Sequence, residues 1–257
     1  MPSCNKARNP HGIEIKFEEE SHRYSSIIDG KEITYVSGTS FVSKFFPQFD
    51  PTGVITRKCA QKRGLTVEAL KQQWREKANR SCAYGTKIHE CCEDTLLGRT
   101  LRNRAENPKE EFAIRNAVMT AEKVRGRSEI LGVEKIIFDE DLRIAGTIDL
   151  LIRAKKNNQV WICDWKTNEK LSKNNTYNDF GLPPIEHIPN TSFGHYTCQL
   201  NLYEYLLKKV GYIDENEKVG KVLFHITENG TKSFVLDDIQ KEIGDMIDVF
   251  NKKGGVL

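Results

Sequence analysis

Two acids and a lysine stand where a strand core would ordinarily carry Val or Ile. The run "VWICDWKTNEK" starts apolar at Val160, then places Asp164 and Lys166 two residues apart. Side chains alternate across a strand, so Asp164 and Lys166 share one face while Cys163 and Trp165 share the other. One run earlier, "GTIDL" puts Asp149 into an otherwise apolar stretch. If the two strands are neighbours, Asp149 and Asp164 converge. Two carboxylates in a half-buried place repel unless a cation lies between them, and oxygen donors of that charge suit a hard divalent ion. A lysine beside such an ion can orient a bound water and stabilise charge growing on a phosphate. The pattern points to metal-assisted phosphodiester hydrolysis. For Asp164 and Lys166 alone, a buried ion pair tying strands together is the plainer alternative.

These side chains need a rigid mount, and the surrounding sequence predicts one. "EILGVEKIIFDED", "LRIAGTIDLLIRA" and "QVWICDWKT" are β-rich runs with short polar linkers, which predicts a three-stranded antiparallel meander. Upstream, "IEIKFEEESHRYSSIIDGKEITYVSG" predicts two or three short antiparallel strands. Asp29-Gly30 is the two-residue turn between Tyr24–Ile28 and Glu32–Val36. A helix opens at Thr39-Ser40-Phe41-Val42 behind a hydroxyl cap and is broken by "FPQFDPTG". Helical patterns resume over about 54–80. "ANRSCAYGTKIHECCEDTLLG" reads as the next unit, with Ile88, Cys91, Cys92 and Leu96 at helical spacing and Gly98 as its C-terminal cap. Pro108 begins another helix that stops near Gly126.

After the meander comes an irregular stretch, about 168–192, with three prolines; loops of such length are usually functional or disordered. An amphipathic helix ("HYTCQLNLYEYLLKKVG"), a strand ("KVGKVLFHIT") and a last helix ("LDDIQKEIGDMIDVFNKK") complete the chain. The order predicts an α/β (α+β mixed) fold, a central mixed β-sheet flanked by helices with an N-terminal β-hairpin. Residues 1–257 read as one domain: hairpin 12–38, helical part 39–127, core 128–210, and C-terminal strand and helix 211–257.

"GTID", a turn and "DWKT" together resemble the PD-(D/E)xK nuclease superfamily, and more narrowly its RecB-like exonuclease branch of phage-type and mitochondrial genome-maintenance-type enzymes. Three further stretches carry the narrower likeness. "YGTKIHE" (84–90) resembles that branch's G-x-x-x-H helix, "QLNLY" (199–203) its Q-x-x-x-Y helix, and "VSGTS" (36–40) its helix-opening S-x-T. The matches fall in family order over roughly 13–205. The resemblance implies a restriction-endonuclease-like core and Mg²⁺ or Mn²⁺, one or two ions. Asp149 and Asp164 would bind the metal, with the Trp165 carbonyl an extra ligand, Lys166 the catalytic lysine and His89 a ligand from the helix. Glu134 stands where the family often carries a further acid, with Glu129, Asp139, Glu140 and Asp141 as neighbouring candidates. An imidazole ligand favours manganese over magnesium. Gln199 and Tyr203 lie four apart on one helical face, Tyr196 shares that side, and the likeness assigns them to holding the Lys166 strand and touching nucleic acid. Departures from the branch matter too. No cysteine follows Cys198, so no iron–sulfur cluster is expected, and no GxxxxGK[ST] loop encodes ATP-driven unwinding.

Bulk composition constrains the setting. At 38% hydrophobic and 29% charged, the 257 residues can bury a core. No stretch approaches the apolar length of a membrane span, and "MPSCNKARNP" lacks a secretory apolar block. We expect no membrane and a cytoplasmic protein of a bacterial or infected host cell. Seven cysteines, without a CxxC, argue against disulfides and zinc. Net charge is only +3, but Arg57–Arg80 holds eight bases against Glu68 and Glu76. Arg57, Lys58, Lys62 and Arg63 are therefore candidate phosphate contacts, against the alternative of a solvated helical face. The expected function is a DNA exonuclease, with DNA ends as substrate and a recombination protein among implied partners. The rivals are an endonuclease of the same fold, a silent nucleic-acid-binding module, and RNA processing.

Overall fold

The computed structural model describes residues 4–48, 53–169, 171, 173, 175 and 178–254. Four strands come first: β1 (Cys4–Arg8), β2 (Glu14–Glu18), β3 (Arg23–Ile28) and β4 (Lys31–Ser37). The helices α1 (Gly38–Ser43), α2 (Val54–Lys62), α3 (Val67–Leu96) and α4 (Pro108–Arg127) follow. The meander is β5 (Ser128–Asp139), β6 (Ile144–Ala154) and β7 (Val160–Lys166). Then come α5 (Ser192–Lys209), β8 (Val219–Thr227), β9 (Gly230–Val235) and α6 (Gln240–Lys252).

All nine strands join one mixed sheet. β5 pairs antiparallel along one edge of β6. The other edge is shared: β4 runs parallel to its start at Ile144–Ala145, and β7 antiparallel to its end at Leu150–Arg153. β8 lies parallel to β7, and β9 closes the far side. A parallel neighbour needs a crossover, which the segment through α5 provides. Both faces are covered. Phe41 of α1, Leu202 and Leu206 of α5 and Met246 of α6 pack with Ile144, Ile162 and Leu223. Ile88 of α3 and Ala117 of α4 pack with Leu150, Cys163 and Trp165. This is the mixed, helix-flanked sheet that the sequence predicts.

Local chemistry explains most element ends. Asp29 (φ 50°) and Gly30 (φ 74°) make the tight β3–β4 turn in left-handed geometry. Ser37 Oγ accepts from Ser40 N at 3.1 Å and caps α1. Asn107 caps α4 through Glu110 N, with Pro108 in its first turn. Gly98 (φ 67°) ends α3.

Three expectations change. The N-terminal hairpin is two strands of a four-stranded antiparallel unit, since β1 and β2 add to β3 and β4. The separate helical units around 54–80 and 78–98 become a short α2 and one unbroken 30-residue α3. Residues 75–83 of α3 are exposed, so that span carries no apolar stripe by which continuity could be read. β9, a mostly exposed edge strand with "TKSF" at its centre, was not foreseen. In the segment before α5, the described residues 178–191 are packed down. Ile185 and Ile188 enter the main core, and Leu182 N donates to Phe45 O at 2.8 Å.

Candidate active site

The strand registers bring the acids into one row. Val133 pairs with Leu150 and Lys135 with Ile148, which sets Glu134 opposite Asp149. Leu150 pairs with Cys163, and one step on Asp149 stands opposite Asp164. Like charges directly across strands destabilise a sheet, so this row works against the fold unless something offsets it. Glu134 adds backbone strain, with φ at 47° inside a strand. A non-glycine residue held there costs about 1–3 kcal/mol, and such strain gathers at functional sites.

His89 meets this row from α3. Its Nε2 lies 2.8 Å from the Trp165 carbonyl oxygen and its Nδ1 3.4 Å from Asp149 Oδ2. If Nε2–H donates to that carbonyl, a neutral ring turns its Nδ1 lone pair toward a carboxylate oxygen. Two acceptors facing each other leave room for a cation. Ligand atoms of His89, Glu134 and Asp149 all lie within 4.8 Å of one another. Asp149 Oδ2 also accepts from Trp165 N at 2.9 Å, which fixes it against β7.

Asp164 lies apart from that triad because its carboxylate turns to Lys166, with Oδ2 2.5 Å from Nζ. This is an ion pair without an aligned hydrogen bond. Asp164 Oδ2 is buried, and among the described residues the Lys166 ammonium is its one polar contact. Burial raises the Asp164 pKa to about 6 against the pull of Lys166, and Asp149 adds to the rise. Burial acts to lower Lys166, but Asp164 and Asp149 outweigh it and hold the ammonium above its ordinary range. Glu134 is exposed at the edge of the row, yet its carboxyl sits among packed atoms. Burial first, then the charges of Asp149, Glu93 and Asp164, push it up to about 9. Two carboxylates and a histidine whose ligand atoms lie this close form a donor set that could hold a divalent metal ion.

The other predicted residues have definite places. Cys163 and Trp165 face the α3–α4 core as expected, Trp165 only 1% exposed. Tyr203, 4% exposed, is a packing group whose hydroxyl accepts from Gln199 Nε2 at 2.9 Å. A Cβ at Gly38 would lie 2.7 Å from the Tyr203 ring, and one at Gly146 closer still. The glycines of "SGTS" and "GTID" are thus required by one tyrosine, which locks the two motifs to α5. Tyr196 lays its ring 4.5 Å from Lys166 Nζ. Of the neighbouring acids, Asp139 pairs with Lys209 and Glu140 with Asn9 and His11. Only Glu134 among them joins the triad.

A cleft of about 920 Å³ opens on His89, Trp165 and Lys166. Its walls carry Lys77, Arg80 and Tyr84 of α3, Lys109 of α4, and Glu228 of the β8–β9 turn. Arg57, Lys58, Lys62 and Arg63 are exposed on or just after α2 and do not line it. The basic segment therefore reaches the cleft through its later members, Lys77 and Arg80. Lys109 and Asn168 were not singled out from sequence. Lys109 sits in the first turn of a helix whose sequence signals structure only, and Asn168 opens the irregular stretch, where no periodicity marks one residue over another.

No curated protein matches the chain. A family model of the PD-(D/E)XK nuclease superfamily matches residues 58–248, most of the chain. That span holds the histidine helix, the whole meander and the helix–strand crossover that carry the site. A superfamily match of this extent, on a sheet that sets an Asp-x-Lys strand beside a second acid, means that the chain belongs to the PD-(D/E)XK nuclease superfamily.

Proposed function

We propose that this chain is a metal-dependent DNA exonuclease of the RecB-like branch. One observation carries the reading: His89, Glu134 and Asp149 converge within 4.8 Å beside the Asp164–Lys166 pair, and His89 and Lys166 also line an open cleft. His89, Asp149 and Glu134 would hold the ion, and the family resemblance adds Asp164 and the Trp165 carbonyl as further ligands. A divalent ion held there, Mg²⁺ or Mn²⁺, supplies a water of lowered pKa and offsets charge on the scissile phosphate. Lys166 faces the cleft as the donor that steadies negative charge on a phosphate oxygen. Gln199 and Tyr203 hold that region by packing. Tyr196 positions the lysine.

The cleft cations suit a phosphate backbone. Lys77 is held by Glu169 and Lys109 by Glu228, at 2.9 and 3.0 Å, in exposed pairs. Such pairs are worth only about 0–1 kcal/mol, so a substrate phosphate can replace the carboxylate. Arg57, Lys58, Lys62 and Arg63 add to the field that attracts DNA without lining the cleft. Among the described residues no helix is long and apolar enough to cross a membrane. A phage-type role in recombination, replication or DNA degradation, with a recombination partner protein, follows from the same resemblance.

The test uses end-labelled single- and double-stranded DNA, linear and covalently closed, with Mg²⁺ or Mn²⁺. An exonuclease shortens linear DNA and leaves the circle intact. Cutting of the circle would make the chain an endonuclease of the same fold. Binding without cleavage under either metal would make it a silent module.

A further inference from the structure

Lys166 is the last residue of β7, where strand pairing stops supporting the chain. What then fixes its ammonium? Asp164 holds it from within the strand, and the Tyr196 ring lies 4.5 Å from Nζ. The Tyr196 ring has its own anchor outside α5. Its hydroxyl donates to Asn168 Oδ1 at 3.2 Å. Asn168 is in turn held by its backbone, whose carbonyl oxygen lies 2.7 Å from His225 Nε2. His225 sits on β8 directly beside Lys166 in the parallel register. The four residues close a ring: strand β7 to the loop behind it, loop to α5, α5 back to the lysine, with β8 bracing the loop.

We propose that Asn168 is a positioning residue for Lys166, acting through the Tyr196 hydroxyl, with His225 fixing the loop that presents it. The proposal rests on the nuclease reading above and extends it to residues outside the family motifs. The face of an aromatic ring attracts a cation, and more strongly where water is excluded. That attraction is directional only if the ring is fixed. A Tyr196 ring free to turn leaves Asp164 as the sole fixed partner of Nζ, and the ammonium then follows the carboxylate instead of facing the cleft. Asn168 also lines the cleft, so direct substrate contact is the competing role for it.

Steady-state and single-turnover cleavage of labelled linear DNA by Asn168→Ala, Tyr196→Phe and the double variant separates these roles. Each single change is expected to lower kcat about 10-fold with KM little changed. The double variant is expected to match either single one, because both remove the same bond. Tyr196→Leu, which also removes the ring, should fall further. Thermal unfolding of each variant checks that the fold is kept. A rise in KM at constant kcat would make Asn168 a substrate contact, and additive losses would mean that the two side chains act separately; either overturns the proposal. An inactive wild-type protein would instead sink the nuclease reading, so the two failures are distinguishable.

Discussion

Two lysine–carboxylate pairs sit on neighbouring strands, one buried and one half-buried, and they are built on opposite terms. Lys221 of β8 is 2% exposed and fully satisfied. Its ammonium bonds Asn201 Oδ1 at 2.9 Å, Asp238 Oδ2 at 3.2 Å and Glu204 Oε2. Glu204 also pairs with Lys208 and accepts from Gln240. Two lysines face two acids, and the three donors of the ammonium are all used. The pair ties α5, β8 and the start of α6 together. Lys166 of β7 has one carboxylate at 2.5 Å, whose oxygen lacks an aligned hydrogen bond. Asp149 and Glu134 stand in the same row, and among the described residues neither is ion-paired to a lysine. A structural ion pair is closed in charge and in hydrogen bonds. A catalytic one is left open in both, and the deficit is where a cation and a phosphate enter.

Substitutions can break that contrast. Asp164→Asn and Lys166→Ala are each expected to lower DNA cleavage by at least ~10²–10³-fold, since each removes a charge used on the reacting phosphate or its metal. Asp164→Asn should unfold no earlier than wild type when metal-free, because it removes a buried charge that the fold disfavours. Lys221→Met is the converse. It should cost about 3–5 kcal/mol, read by urea unfolding, because it leaves the buried Glu204 with the more exposed Lys208 as its remaining cation and takes the shared ammonium from Asn201 and Asp238. Activity per folded molecule should stay near wild type. Equal stability losses at Lys166 and Lys221 would erase the distinction.

Metal should act on only one of the pairs. Mn²⁺ at about 100 times its Kd stabilises a protein by about 2.7 kcal/mol. A thermal shift of that order is expected for wild type and Lys221→Arg, and is expected to vanish in Asp149→Asn. The smallest effect is on pH dependence. Glu134 titrates from an ordinary 4.5 when unfolded to about 9 when folded, so the metal-free folded state holds the extra proton between those values. Its contribution is fully present below pH 4.5 and is lost as pH rises toward 9. Glu134→Gln should flatten that decline in a series of metal-free unfolding curves. Divalent metal should bind more tightly as pH rises in wild type, since the carboxyl must give up its proton.

The candidate row is legible in the sequence because acids in apolar strands violate the core pattern. Asp149, Asp164 and Lys166 could be read for that reason, as could the meander that carries them. Glu134 could be proposed only among several acids. Its selection depends on register and on a left-handed backbone angle, neither of which leaves a mark in composition. The sealed Lys221 cluster was invisible, because its members come from three elements and each looks like a surface charge. The Arg57–Lys62 helix is a different case. Charge density predicted phosphate contact, but position in three dimensions gave the cleft wall to Lys77, Arg80 and Lys109. The length of α3 is hidden for a related reason, since its exposed span over 75–83 has no apolar face to betray it.

The central claim is that the open pair performs chemistry. Cleavage of end-labelled linear DNA with Mn²⁺, by wild type and by Asp164→Asn of equal thermal stability, tests it most directly. The account predicts degradation by wild type that stops on chelation, and at most a trace with Asp164→Asn. Cleavage by Asp164→Asn at the wild-type rate would contradict it.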